Sequence, residues 1–275
     1  MTAALDSSPS ADVDVLLAAL NCSTKLLSAL TTTLSADETE RASAFHCVYD
    51  RARFIASRGI LRCILSSYVG RAPAEIRFSY KPGGKPELEQ TGCRGGVWRF
   101  NLSHSGNAAL YVVTQGRDVG VDIELIRRRM RWECLANRFF SPREVDKLKR
   151  WPAEQRAAAF FRCWTCKEAY LKAIGLGLCA SLDQFEVSAG RDEMPGLLVA
   201  PDPHELQRWS FWDVPVNDRI AATAVIEGCP HRLRVLKFIR RQVNVSRALG
   251  LSAPFRLLRT LYPQERPMAL DFGSG

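Results

Sequence analysis

Two short stretches concentrate the reactive side chains of this sequence. Gly120-Val121-Asp122-Ile123-Glu124 places two carboxylates at strand spacing, where alternate residues share a face. Trp164-Thr165-Cys166-Lys167-Glu168-Ala169-Tyr170-Leu171-Lys172 places Glu168 and Lys172 four apart, on one face of a helix. Three carboxylates and a lysine are what is needed to hold Mg²⁺ over a pyrophosphate, because that ion takes one or two carboxylates together with phosphate oxygens and water.

Each feature also has a plain structural explanation. Asp122 and Glu124 fit a strand with one wet face, and Val121 and Ile123 fit its core face. Glu168 and Lys172 fit a surface ion pair in the favoured order, worth about 0.3–0.5 kcal/mol. Asn101-Leu102-Ser103-His104-Ser105-Gly106 ends a strand in small polar residues, and His104 is either a phosphate donor or a structural histidine. Gly84-Lys85-Pro86 reads first as a turn. Glu144 completes a capping box with Ser141. Cys163 and Cys166 have redox-motif spacing, but they fall mid-helix with no second pair, which favours packed thiols over zinc.

The elements that must position these groups follow from periodicity. Val13–Leu20 reads as a strand, and Ser35-Ala36-Asp37-Glu38 opens a helix. Apolar residues from Phe54 to Tyr68 recur at three to four and stop at Gly70. Strands are expected over Ile76–Tyr80 and at Trp98, Phe100 and Leu102, with a turn over Lys81–Pro86. Ala108–Val113 and Val119–Ile123 flank Gln115-Gly116-Arg117-Asp118 and read as a hairpin. Ser141 and Pro142 start another helix. Pro152 starts a longer one that carries the lysine motif and stops at Gly175. Phe185–Val187, Trp209–Val214 and Arg219–Ile226 complete the strands. Helix then strands, twice over, is an α/β (α+β) pattern of two halves, although no residue-level repeat is visible.

At 275 residues, 47% apolar and 24% charged, the chain has the composition of a globular protein with a substantial core. No apolar run reaches membrane-spanning length. The first cation is Lys25, so no secretory signal with a basic start is expected. Nine scattered cysteines, an odd number, fit reduced thiols in the cytoplasm. The net charge of +9 is uneven: residues 231–275 hold nine Arg/Lys against two Asp/Glu, a balance of +7.

Taken in order, Gly84-Lys85-Pro86, Asn101–Gly106, Gly120–Glu124 and Trp164–Leu178 resemble the signature of the 4′-phosphopantetheinyl transferases. The resemblance is to the larger, single-chain type that activates surfactin synthetase. It implies a pseudo-twofold pair of α/β subdomains with the active site in the cleft between them. The expected layout is a flexible N-terminus over 1–12, subdomains over 13–118 and 119–230, and a basic extension over 231–275. It implies transfer of the phosphopantetheine arm of coenzyme A to a serine of an apo acyl or peptidyl carrier protein, releasing adenosine 3′,5′-bisphosphate. On this resemblance Asp122, Glu124 and Glu168 are the Mg²⁺ ligands and Lys172 meets the pyrophosphate. Glu168, Lys172 and Glu144 are the catalytic set. Arg41, Arg53, Lys85, Pro86, Ser103 and His104 surround the coenzyme. Glu38 departs from the pattern, standing where some relatives place a basic residue.

A monomer without nucleic-acid partners is expected. Two other readings remain open on the residues. One is a binding protein whose basic tail engages nucleic acid or an acidic membrane surface. The other is a Mg²⁺-dependent phosphohydrolase.

Overall fold

The computed structural model describes residues 12–80, 84–89, 96–176, 181–188, 190 and 193–238, and the backbone of 255–261. The expected N-terminal tail, Lys81–Gly83 of the turn, the Gly177-Leu178 end of the long motif and most of the chain beyond 238 lie outside the described residues.

The first half begins with β1 (Asp12–Ala19), followed by α1 (Thr24–Thr31), α2 (Ala36–Ser43) and the long α3 (Val48–Val69). A small hairpin, β2 (Phe78–Tyr80) and β3 (Pro86–Leu88), leads to β4 (Trp98–Ser105) and β5 (Ala108–Gln115). The second half repeats this order. β6 (Val119–Leu125) is followed by α4 (Trp132–Phe139), α5 (Pro142–Lys149) and the long α6 (Arg156–Ile174). A small hairpin, β7 (Glu186–Ser188) and β8 (Gly196–Val199), a short α7 (Glu205–Arg208), β9 (Trp209–Asp213) and β10 (Ile220–Glu227) complete it.

The pairing repeats as well. β1-β5-β4 and β6-β10-β9 are both antiparallel, and in each the last strand of the half lies in the middle. The pseudo-twofold α/β architecture is therefore a topological identity. The two sheets pack face to face through Val13, Val15, Leu110 and Val112 on one side and Val121, Ile123, Ala224 and Ile226 on the other. α3 covers the outer face of the first sheet through Ile60, Leu61, Ile64 and Leu65. α6 covers the second through Phe160, Cys166, Ala169 and Ala173. Both long helices stop at a left-handed glycine, Gly70 (φ 70°) and Gly175 (φ 79°), a conformation that a side chain would oppose.

Two expectations need correction. β5 and β6 do not form a hairpin, because they lie in different sheets. The turn at Gly116 carries the chain from one sheet to the other, and turn residues alone do not distinguish these outcomes. The segment beginning at 231 is also not an appendage. Its residues form β11 (Arg232–Phe238), which pairs in parallel with β1, and β12 (Phe255–Leu261) pairs antiparallel with β11. Leu233, Val235, Leu236 and Phe238 are buried, so the mixture of cations and apolar residues is a strand alternation and not a membrane-surface helix. Arg234 clamps the buried Asp14 with Nε to Oδ1 at 2.6 Å and Nη2 to Oδ2 at 2.9 Å, and the Tyr68 hydroxyl donates to the same carboxylate.

Candidate active site

β6 supplies the acidic face. Val119, Val121 and Ile123 are buried in the sheet interface, which leaves Gly120, Asp122 and Glu124 facing α6. Gly120 is required here by proximity. A Cβ at this position would lie 2.1 Å from the Ala169 carbonyl oxygen and 2.4 Å from the Ala173 nitrogen. Strand and helix backbones thus nearly touch, which brings Glu168 and Lys172 of α6 over Asp122. Lys85 secures the same junction. Its ammonium donates to the carbonyls of Val119 (3.0 Å), Lys172 (2.6 Å) and Ala173 (3.2 Å), two of them at the C-terminal end of α6 where carbonyls lack helical partners.

Asp122 is almost fully buried, at 3% exposure. Its Oδ1 accepts from Lys172 Nζ at 2.6 Å and from Ser103 Oγ at 2.7 Å, while its buried Oδ2 has no partner among the described residues. Lys172 Nζ also donates to Ser103 Oγ at 2.9 Å. Glu124 accepts from Ser105 Oγ at 2.7 Å. Burial, and then the charge of Asp122, pushes the Glu124 carboxyl above its ordinary pKa. Glu168 is raised in the same way, by burial and then by Asp122, with Lys172 opposing. Among the described residues no hydrogen bond to the Glu168 carboxylate is present. Three half-buried to buried carboxylates thus share one ammonium, and a further cation would relieve their repulsion.

The donor set suits Mg²⁺ in its chemistry: hard oxygens, an orphaned buried carboxylate oxygen and excess negative charge. It is not a closed cage. Among the described residues no three acidic, histidine or cysteine side chains converge closely enough to hold an ion by themselves.

Beside this cluster lies a cleft of about 860 Å³. Arg41, Arg53, Arg58 and Arg127 line it, together with Gly84, Pro86, His104 and Glu124. Phe45 and Phe54 form an aromatic wall with ring centroids 5.4 Å apart, and the Arg41 guanidinium stands 5.5 Å over Phe54. Arg53 Nε donates to Asn107 Oδ1 at 3.1 Å. Burial, followed by the charge of Lys172, lowers the His104 pKa, so its imidazole is neutral near pH 7.

The structure therefore brings most of the expected site residues together and sets Lys85 and Glu144 apart, while Ser103 joins the carboxylate cluster and not the cleft. Asp122, Glu124, Glu168 and Lys172 form one cluster. Arg41, Arg53, Pro86 and His104 line the cleft beside it. The Lys85 ammonium donates to backbone carbonyls at the end of α6 and does not line the cleft. Ser103 is turned to Asp122 and Lys172 and does not line the cleft.

Glu144, expected among the catalytic residues, is 4% exposed and fully engaged. Its Oε2 accepts from Ser141 N at 3.0 Å and pairs with Lys167 Nζ at 2.9 Å, and its Oε1 accepts from Val187 N at 2.9 Å. It shares no partner with the carboxylate cluster, and these contacts make it a structural anchor of α5. Cys163 and Cys166 are buried packing thiols, the latter pushed up to about 12 by burial.

Residues missed in the sequence are Asn101 and Ser105 on β4, and Arg58 and Arg127 in the cleft. The two-residue spacing of Asn101, Ser103 and Ser105 was a usable signal that all three face one way.

Two family profiles cover the two halves. Residues 20–116 match the N-terminal 4′-phosphopantetheinyl transferase family, and residues 118–224 match the 4′-phosphopantetheinyl transferase superfamily. The chain is 43% identical over 199 residues to the 4′-phosphopantetheinyl transferase HetI of Nostoc sp., covering 72% of this chain and 81% of that protein. The chain belongs to the 4′-phosphopantetheinyl transferase family.

A further transferase relative, from Bacillus subtilis, is 30% identical, with 62% of this chain and 73% of that protein covered. The 4′-phosphopantetheinyl transferase Sfp of Bacillus subtilis strain 168 is 25% identical, with 74% and 88% covered. Among solved structures, a holo-(acyl-carrier-protein) synthase from Bacillus anthracis in complex with coenzyme A aligns at 21% identity, with a TM-score of 0.32, over 40% of this chain and 96% of that one. The transferase halves meet where β4 of the first lies beside β6 of the second, and the carboxylate cluster sits at that seam. No described helix is long and apolar enough to cross a membrane.

Proposed function

We propose that this transferase binds coenzyme A in the arginine-lined cleft. There it moves the 4′-phosphopantetheine arm to a serine of an apo acyl or peptidyl carrier protein, with Mg²⁺ at Asp122, Glu124 and Glu168. The observation that carries the reading is the orphaned, buried Asp122 Oδ2 within a carboxylate cluster beside a cation-lined cleft. A bare anionic cluster would repel a pyrophosphate. The same cluster holding a divalent ion would attract one.

The residues divide the work. Exposed Arg41 and half-buried Arg53, both on the cleft wall, supply charge for the phosphates of the coenzyme. The aromatic wall of Phe45 and Phe54 gives its base an apolar surface. Neutral His104 offers an N–H at the inner end. Lys172, on its Asp122 and Ser103 partners, presents a point charge to the bridging phosphates. Its distance from them need change little as charge moves to the leaving oxygen. Glu168 has no hydrogen-bond partner among the described residues, and burial, then the charge of Asp122, raises its carboxyl pKa above the ordinary value. It is the group placed to accept the serine proton, or to hold that hydroxyl in line. When bound, Mg²⁺ neutralises the charge on the pyrophosphate. The reaction attaches the serine oxygen to the arm's phosphorus, breaks the pyrophosphate link and releases adenosine 3′,5′-bisphosphate.

The test is direct. The protein is incubated with coenzyme A, MgCl₂ and a panel of apo carrier proteins, and the products are weighed by mass spectrometry. Gain of the phosphopantetheine mass that disappears with chelator supports the reading. Gain that persists with chelator overturns the Mg²⁺ assignment. No gain on any carrier, with coenzyme A bound, overturns the acceptor assignment.

A further inference from the structure

β4 and β6 are edges of two different sheets, and no backbone ladder joins them among the described residues. Side chains take its place. Asn101 Oδ1 accepts from Val121 N at 3.0 Å, and Ser105 Oγ accepts from Leu125 N at 3.1 Å. The hydroxyl of Ser105 has one proton, and it donates this to Glu124 Oε2 at 2.7 Å. Between them, Ser103 Oγ donates to Asp122 Oδ1. Asn101 and Ser105 are buried at 5% and 6% exposure, so these bonds are not exchanged freely with water. Asn-x-Ser-x-Ser thus acts as a strap of side chains along the open edge of β6.

We propose that Asn101 and Ser105 are positioning residues. Together they fix β6 in register against β4, and Ser105 aims the Glu124 carboxylate. Register matters because a slip of one residue would turn Asp122 and Glu124 from α6 into the sheet interface. Aim matters because a carboxylate with one oxygen held by a hydroxyl presents the other in a fixed direction. Outer partners of this kind typically contribute about 10–100-fold in metal affinity or activity. The second part of the inference rests on the reading of Glu124 as a metal-site residue.

The experiment compares Ser105→Ala with Ser105→Thr, which keeps the hydroxyl, in the full-length protein. Steady-state kinetics with coenzyme A and a carrier are measured alongside Mn²⁺ affinity by electron paramagnetic resonance. For Ser105→Ala we expect kcat to fall about tenfold and Mn²⁺ affinity to weaken similarly, with KM for coenzyme A within about twofold of wild type. Ser105→Thr restores both. If Ser105→Ala does not fold, Ser105→Cys, a weak donor of similar size, must show the same losses. Wild-type kcat and Mn²⁺ affinity in the hydroxyl-free variant, whatever its melting temperature, overturn the proposal. If the wild-type protein binds no Mn²⁺, the metal assignment fails separately, and the split between kcat and KM still decides whether Ser105 positions Glu124.

Discussion

The two halves of this transferase share the geometry of their structural anchors and differ where the reactive side chains gather. In each, the second helix opens with a capping box whose acid is buried: Glu38 accepts from Ser35 N, and Glu144 from Ser141 N. In each, that acid pairs with a buried cation on the long helix, eight residues before its terminal glycine: Arg62 before Gly70, and Lys167 before Gly175. In each, the cation also donates to two carbonyls beside a short 3₁₀ turn. Arg62 meets Pro73 and Ile76, and Lys167 meets Leu182 and Phe185.

The same count from the glycine sets Glu168 and Lys172 against Cys63 and Ser67. The first half places Arg41, Arg53 and Arg58 on the cleft, and the second places carboxylates at its edge. One scaffold, used twice, thus yields a positive wall and a negative one. A phosphate-rich substrate with a bridging cation needs both.

The largest expected effect tests whether the shared anchors are structural. Glu144→Gln and Glu38→Gln each leave a buried cation without its counter-charge, which costs about 3–5 kcal/mol. Chemical denaturation should show losses of that order in both, while the protein that remains folded keeps its KM for coenzyme A. A stable Glu144→Gln with lost turnover would restore a catalytic role and break the equivalence.

The next effect tests the difference between the halves. Asp122→Ala or Glu168→Ala should lower kcat by about 10²–10³, the usual loss for such electrostatic groups. Ser67→Ala, at the position matching Lys172, should leave turnover near wild type. Equal losses in the two halves, measured at limiting Mg²⁺, would refute the division of labour.

A smaller effect concerns the strand that only the first half has. Arg234→Met strips the buried Asp14 of its bidentate partner and should cost about 1–3 kcal/mol of stability. Deletion of 231–275 also removes the buried Leu233, Val235, Leu236 and Phe238 and should cost more than Arg234→Met, so a truncation that keeps wild-type stability would contradict the role of β11.

The smallest effect runs the other way. The Glu168 carboxyl is raised in the folded protein, so folding is opposed once pH exceeds its unfolded value, and this opposition reaches its full extent above the folded one. Glu168→Gln should therefore raise the melting temperature at pH 8, read by thermal denaturation. It should do nothing at pH 4. Any stabilisation that is equal at both pH values would not come from charge.

Much of this was legible in the sequence. The alternation of Val121 and Ile123 with Asp122 and Glu124 fixed one buried face and one reactive face, because side chains along a strand alternate without regard to the rest of the fold. Helical spacing put Glu168 with Lys172, and capping residues marked both second helices, because these are contacts within a few residues. Tertiary structure decided the rest. Whether Glu144 reacts or anchors depended on Lys167 and Val187, 23 and 43 residues away. Whether Lys85 meets substrate or carbonyls depended on where α6 ends beside β6. The basic C-terminal segment became a strand because β1 offered an open edge more than 200 residues earlier, with Asp14 on it to receive Arg234. Local periodicity reports which face a residue occupies, and only packing supplies the charge or backbone group that meets it there.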